Sequence, residues 1–167
     1  PNKLTPKQTQ ELKQQMSDAQ ERREKAQKDR QEEVASEVKL RFDSFKNLFE
    51  HEYLSNKKVK NYGLKVDTNE SLVIPVYSTS GQIRSLQYIS KKGDKKFHPG
   101  GEIKGNIFLI GCSVNELPTI NELVVVEGYA TASSVYEATQ IPTACVFSAN
   151  FSMDAVKNIR GVSQCRI

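Results

Sequence analysis

Glu127 is the residue of this sequence best placed to do chemistry. It follows the apolar run Leu123-Val124-Val125-Val126 and precedes Gly128. A continuous run of this kind marks a strand buried on both faces of a parallel sheet. In such sheets ligands sit just beyond the carboxyl ends of the strands. A carboxylate there can ligate a divalent cation, and the glycine after it lets the chain turn and a phosphate or metal approach closely. The same acid could instead serve a helix end, where a negative charge contributes ~0.3–1 kcal/mol. A second set of candidates is cationic. Residues 51–104 hold ten Lys/Arg against five Asp/Glu, whereas residues 105–167 hold three against five. Basicity is thus concentrated in the middle third, where it would attract phosphates; a solvated lysine-rich surface is the alternative reading. His51 and His98 are the only histidines, so no Ser–His–Asp set is legible, and neither a Walker loop nor G-x-G-x-x-G occurs.

These residues belong to a chain of 167 residues, 37% hydrophobic and 26% charged, with a mean hydropathy of −0.56. That length suits one domain, or a small domain with an appendage. No apolar run approaches the ~18 residues a spanning helix needs, so no membrane association is expected. The polar N-terminal stretch has no signal-peptide pattern. Cys112, Cys145 and Cys165 are far apart and never form C-x-x-C, which argues against a disulfide scaffold and a zinc site. The expected compartment is a reducing cytoplasm.

Three sections must position the candidates. From Lys7 to about Glu33 there is no Gly or Pro, and good helix formers dominate. Thr5-Pro6 supplies a cap and a proline at the first helical position. With few apolar residues between Lys13 and Glu33, this stretch reads as a solvated helix held by pairs such as Glu21–Lys25 and Glu24–Lys28. Val34, Val38, Phe42, Phe45 and Phe49 then form an apolar stripe. The first section, residues 1–50, is therefore a lever whose C-terminal half docks and whose N-terminal half projects.

The second section, residues 51–115, reads as a small mixed or antiparallel β subdomain. Leu54–Lys60 suggests a short helix. Leu72–Tyr77 and Gln82–Ile89 flank the turn Ser78-Thr79-Ser80-Gly81, and Pro75 predicts an edge or a bulge. A lysine-rich turn, Lys91 to Lys96, precedes the loop His98-Pro99-Gly100-Gly101 and a strand over Asn106–Ile110. The third section, residues 116–167, reads as strand Leu123–Val126, helix Ala130–Thr139 with Ala132, Val135 and Tyr136 inward, and strand Thr143–Phe147. A second helix, capped by Asn150 or Ser152, has Met153, Val156 and Ile159 on one face and ends at Gly161. A third strand starts at Gln164–Ile167. The fold class is α+β: a long N-terminal helix, a small β subdomain and a C-terminally incomplete α/β parallel-sheet unit.

The hexapeptide Glu127-Gly128-Tyr129-Ala130-Thr131-Ala132, after its apolar strand, resembles the signature of primases from conjugative plasmids and of satellite-phage alpha-type primase-helicases. More broadly it is similar to the first motif of the Toprim fold. Further stretches resemble the same family in order: His51-Glu52-Tyr53-Leu54 with Lys57-Lys58-Val59 and Gly63-Leu64; Leu72 to Tyr77 with Gly81 and Ser85-Leu86-Gln87; and Lys95-Lys96-Phe97 with Gly100-Gly101, Gly105 and Phe108 to Gly111. Glu137-Ala138-Thr139 with Pro142 and Phe147-Ser148-Ala149-Asn150 complete the set. The resemblance covers roughly residues 48–167.

What it implies is synthesis of short RNA primers on a single-stranded DNA template from ribonucleoside triphosphates, with Mg²⁺ or Mn²⁺ and with a replicative helicase or further domains of the same polypeptide as partners. Glu127 would be the catalytic, metal-ligating acid. Lys96, Lys104 and, more weakly, Arg84 would hold template and triphosphate. Lys92 and Lys95, with Lys91, would contact the DNA backbone, and Asn150 would join the nucleotide-binding set. Tyr129 and Phe97 either stack on bases or pack in the core. The family's second acidic motif, Asp-x-Asp at the end of the third parallel strand, is absent, as is a zinc ribbon before the helix. The expectation is that this chain by itself makes no primers and leaves a sheet edge open to a covering helix or a second copy. The competing readings are a binding module for single-stranded DNA or a partner protein, and a Toprim nuclease or topoisomerase fragment.

Overall fold

In the computed structural model, which describes residues 5–167, the chain is α+β, as its patterning predicts. Residues 1–4 of the predicted lever lie outside that range. Helix α1, Pro6–Ser44, is a single rod of 39 residues, about 58 Å at 1.5 Å per residue. It starts in a capping box: the Thr5 side chain accepts from the Gln8 backbone N–H while the Gln8 side chain accepts from that of Thr5, with Pro6 in the first turn. The expected pairs Glu21–Lys25 and Glu24–Lys28 are not closed. Gln14 donates to Asp18 and Gln20 to Glu24, both at 2.8 Å. Among the described residues, the ion pairs within α1 fall in its last turns, Lys39–Asp43 and Arg41–Glu37.

Val34, Ala35, Val38 and Phe42 are buried, so the helix docks by its C-terminal part and projects by the rest. The stripe stops sooner than its spacing predicts. Phe45 is the extended C-cap, and Phe49 is 96% exposed, because the chain turns off into strand β1, Lys46–Asn47, before a further helical turn can form.

Strands β2 (Lys65–Val66), β3 (Leu72–Tyr77), β4 (Ile83–Ile89) and β5 (Lys95–Phe97) join β1 in an antiparallel sheet ordered β1-β2-β3-β4-β5. Successive strand residues point to opposite faces, and both faces of the β3–β4 hairpin are covered. Val73, Leu86 and Tyr88 pack under α1. Leu72, Ile74, Val76 and Ile89 pack against the rest of the body. Pro75 is not on an outer strand. β2 pairs only Leu72 and Val73, and Tyr77 exchanges both backbone hydrogen bonds with Ile107. Pro75 sits in the gap between them, where its missing N–H faces no strand; the register shift falls one residue later, between Val76 and Tyr77. Lys95 and Lys96 belong to β5 rather than to a turn; the turn is Ser90 to Asp94. The short helix α2 covers Glu52–Lys57, two residues earlier than predicted.

The second sheet has the order β6-β8-β7, with β6 Phe108–Ile110, β7 Val124–Val126 and β8 Thr143–Cys145. β7 and β8 run parallel through helix α3, Tyr129–Thr139, whereas β6 lies antiparallel on the other side of β8. The strand near Asn106–Ile110 therefore pairs with the C-terminal section. The expected third parallel strand is a single bridge, Glu122 to Arg166. β7 is half-buried instead of covered on both faces, because Arg166 pairs only with the segment Asn121 to Leu123 ahead of the strand. Helix α4, Ser152–Arg160, closes the far face through Ala155 and Ile159 against Ile107, Ala144 and Val146. Met153 is 66% exposed, contrary to its predicted inward face. Neither Asn150 nor Ser152 caps by its side chain: the Ser148 hydroxyl accepts from the Asn150 N–H, starting a 3-10 turn that runs into α4. The layers are thus α1, first sheet, then α3 with the second sheet, then α4. No described helix is long and apolar enough to cross a membrane.

Candidate functional site

The parallel pair β7–β8 ends with Val126 opposite Cys145, and the two loops leaving it define the site. Glu127 follows β7 and is exposed; Ser148 to Asn150 follow β8, with Asn150 exposed in the 3-10 turn. The Glu127 carbonyl accepts from the Cys145 thiol at 3.3 Å, fixing the strand end to its neighbour. Gly128 has φ −128°, an extended conformation any residue adopts. What its lack of a side chain provides is open space: a Cβ there would meet only the Lys95 ammonium, at 3.8 Å. Helix α3 begins at this point with no side-chain cap and no acid in its first turn, so its first N–H groups and positive dipole end face the same opening.

Lys95 is the cation that β5 delivers here. Register pairs it with Ile89, whose side chain lies on the inner face of the first sheet with Phe97. Phe97 in turn packs edge-on against Phe147, ring centroids 5.9 Å apart. The buried Cys145 thiol lies near both charges. Burial is the main cause that holds its pKa up at about 12, against the Phe147 backbone and Lys95, which lower it, and with a small contribution from Glu127, which raises it.

The other predicted residues disperse. Lys96 pairs with Tyr88, and alternation puts it on the α1 side of the sheet, away from Lys95; sequence spacing alone gave both lysines to one cleft. Lys104 lies beside α4, 3.5 Å from Asp154. Lys92 is exposed in the Ser90–Asp94 turn. Arg84 is a clamp inside the fold. Its side chain is 8% exposed, and its guanidinium reaches Glu102 at 2.9 Å and both Glu32 oxygens at 3.0 Å. These partners hold it above its ordinary pKa and hold Glu32 below. The clamp fastens α1 to β4 and leaves little of the guanidinium for a phosphate.

Tyr129 is core. It is 1% exposed, and its hydroxyl donates to the Lys60 carbonyl at 2.7 Å while accepting from the Tyr62 N–H at 2.9 Å. Glu137 accepts from Ser133 at 2.7 Å and from the Lys60 N–H at 3.1 Å, which holds its carboxyl below the usual range. Together they clasp the loop at residues 60–62 to α3, a long-range contact that sequence spacing does not reveal. His51 is a buried helix cap. Its Nδ1 accepts from the Tyr53 N–H, which leaves Nε2 to donate to the Glu70 carbonyl.

Among the described residues, no three of His, Cys, Asp and Glu come together to hold a metal. Glu127 by itself does not make a site for Mg²⁺, which is octahedral and oxygen-liganded. A cavity of about 1120 Å³ is lined by residues such as Phe45, Leu48, Asp67 and Lys91 and shares none of the Glu127 surroundings.

Comparison with known proteins gives the geometry a relative. The chain is similar to a DNA primase. Over 97 residues it is 32% identical to the DNA primase TraC of Escherichia coli, and over 106 residues 30% identical to a second Escherichia coli protein of that name. These stretches are 57% and 62% of this chain but 9% and 7% of the relatives, so the chain spans less than a tenth of their length. No family model matches, and no solved structure matches.

Proposed function

We propose that this chain is part of a DNA primase catalytic core of the EGYATA, Toprim-containing type. In this reading it acts in template-dependent synthesis of short RNA primers on single-stranded DNA during plasmid or phage replication or transfer. The observation that carries the reading is the similarity to DNA primase TraC over 57–62% of the chain. Glu127 at the carboxyl end of β7 supports it, because open α/β sheets bind ligands at that position. Glu127 would supply one carboxylate to a Mg²⁺ or Mn²⁺ site whose other ligands lie outside the described residues. Lys95, together with the uncapped start of α3, would bind the triphosphate or the template backbone, with Asn150 on the same rim and Lys104, Lys92 and Lys96 further out. A replicative helicase, or further domains of one polypeptide, would act alongside.

That no three metal-ligating side chains come together among the described residues favours one further reading, a module that binds single-stranded DNA without chemistry. Ribonucleotide incorporation on single-stranded DNA, measured with this chain and with any longer polypeptide containing it, separates the two. The expected result is no synthesis by the chain alone and synthesis by the longer polypeptide that falls by ~100-fold or more in Glu127→Gln. Equal synthesis by wild type and Glu127→Gln removes Glu127 from the site. DNA binding without synthesis in every form establishes the module.

A further inference from the structure

The projecting half of α1 has no role in the site above, yet it is sided. On a 3.6-residue turn, Lys13, Arg23 and Arg30 share one side with Met16, Gln20 and Gln27. That side also includes Val34 and Val38, which dock on the body. All five carboxylates of residues 5–31, at Glu11, Asp18, Glu21, Glu24 and Asp29, lie elsewhere on the circumference, where Lys7, Arg22, Lys25 and Lys28 accompany them. The arm thus presents one side with three cations, and its nearest acid, Glu24, stands at the margin beside Lys13, bonded to the Gln20 amide at 2.8 Å. Lys13, Arg23 and Arg30 are exposed. At the root, Arg30 Nε and Val34 lie 3.3 and 3.2 Å from where a Cβ on Gly100 would stand, so the cationic side leads onto the docked surface.

We propose that this side of α1 is a contact surface for the phosphodiester backbone of single-stranded nucleic acid. The inference rests on the reading that the chain works on such a strand. Arg and Lys neutralise phosphates, and the Gln27 amide can donate to phosphate and sugar oxygens, whereas the Gln20 amide is engaged by Glu24. Lys13 to Arg30 spans about 25 Å of the helix axis, a continuous track. A helical protein partner would want an unbroken apolar seam, and Arg23 and Arg30 interrupt this one.

The test pairs two variants of equal charge change, Lys13→Gln/Arg23→Gln/Arg30→Gln and Lys7→Gln/Arg22→Gln/Lys25→Gln. Glutamine keeps helix propensity, and circular dichroism verifies that the arm is intact in both. Binding of a labelled oligothymidylate is read by fluorescence anisotropy across a salt series. The first variant is expected to lose affinity about tenfold or more at low salt, and to flatten the slope of log K against log salt by about 2, since each single-strand phosphate contributes ~0.7. The second should stay within about twofold of wild type. Equal loss in both, or no loss in the first while wild type binds, overturns the surface and leaves the functional reading standing. A wild-type chain that binds no strand at low salt sinks both. Polyglutamate bound as tightly as the oligonucleotide, with the same loss in the first variant, overturns the assignment to nucleic acid.

Discussion

Ser85 and Gly101 show how tightly single residues are fitted where the loop after β5 runs along β4. The Ser85 hydroxyl is fully buried and has no hydrogen-bond partner. It occupies the space a Cβ on Gly101 would need, at 2.2 Å, with the Ser85 backbone at 3.2 Å. Gly101→Ala should therefore destabilise by about 1–3 kcal/mol through overpacking. Ser85→Ala removes an unsatisfied hydroxyl and should be neutral or mildly stabilising. Ser85→Gly should recover part of the Gly101→Ala loss in the double variant, a coupling that urea melts resolve. Arg84 yields a sharper contrast with its sequence reading. Replacing it by Gln should cost about 1.5 kcal/mol, the low end of the scale for hydrogen bonds to charged groups, because its partners Glu32 and Glu102 are part-exposed and rehydrate. Affinity for single-stranded DNA at matched folded concentration should not change. A stable Arg84→Gln protein with weakened DNA binding would return Arg84 to the interface.

At the scale of elements, α1 is two objects on one backbone. Its first part buries nothing, and exposed helices gain little from propensity alone. Removing residues 1–28 should leave the melting temperature of the body nearly unchanged, whereas removal through Phe42 should unfold it. Amide exchange should be fast before Glu32 and slow over Val34–Phe42; uniform protection along the whole helix would contradict this division. The dock also contains a titratable group. His98 accepts or donates with the Tyr88 hydroxyl through Nδ1 at 3.2 Å and faces Glu37, with Nε2 3.7 Å away. Burial lowers its pKa, Glu37 opposes that, and Arg41 adds to it. A histidine whose folded pKa lies below the unfolded value binds fewer protons when folded, so stability falls as pH drops below about 6.5. The lowered carboxyls of Glu32, Glu70, Glu116 and Glu137 act with the same sign, but only as pH falls below about 4.5. Melting curves from pH 5 to 7 should flatten in His98→Gln while the loss at lower pH remains.

Across the whole molecule, the first sheet is covered on both faces, by α1 and by the α3–second sheet layer, whereas on the outer side of β7 the described residues supply a single bridge, Glu122 to Arg166, just ahead of the strand. The site thus stands at an open margin of the second sheet, with one carboxylate and one cation. Because a ligand stabilises in proportion to its binding, Mg²⁺ at about 1 mM should leave the melting temperature of this chain unchanged. A marked upward shift that Glu127→Gln abolishes would mean that the chain assembles a cation site of its own.

What the sequence by itself determined was local. The helix start at Thr5-Pro6, the β3–β4 hairpin, the strand–helix–strand run around Glu127 and the α+β class all follow from capping, alternation and apolar runs, which act between neighbours in the chain. The tertiary structure decided what depends on distant partners. Arg84 is a clamp because Glu32, fifty-two residues away, reaches it. Tyr129 is core because Lys60 and Tyr62 satisfy its hydroxyl. Lys95 rather than Lys96 reaches the end of β7 because register with β4 fixes which face each side chain takes, and a one-residue slip would exchange them. Strand β6 pairs with β8 because the apolar faces of Phe108 and Ile110 find Tyr129, Ala132 and Cys145. Periodicity gives each segment its apolar face, but only the packed whole decides which face meets which.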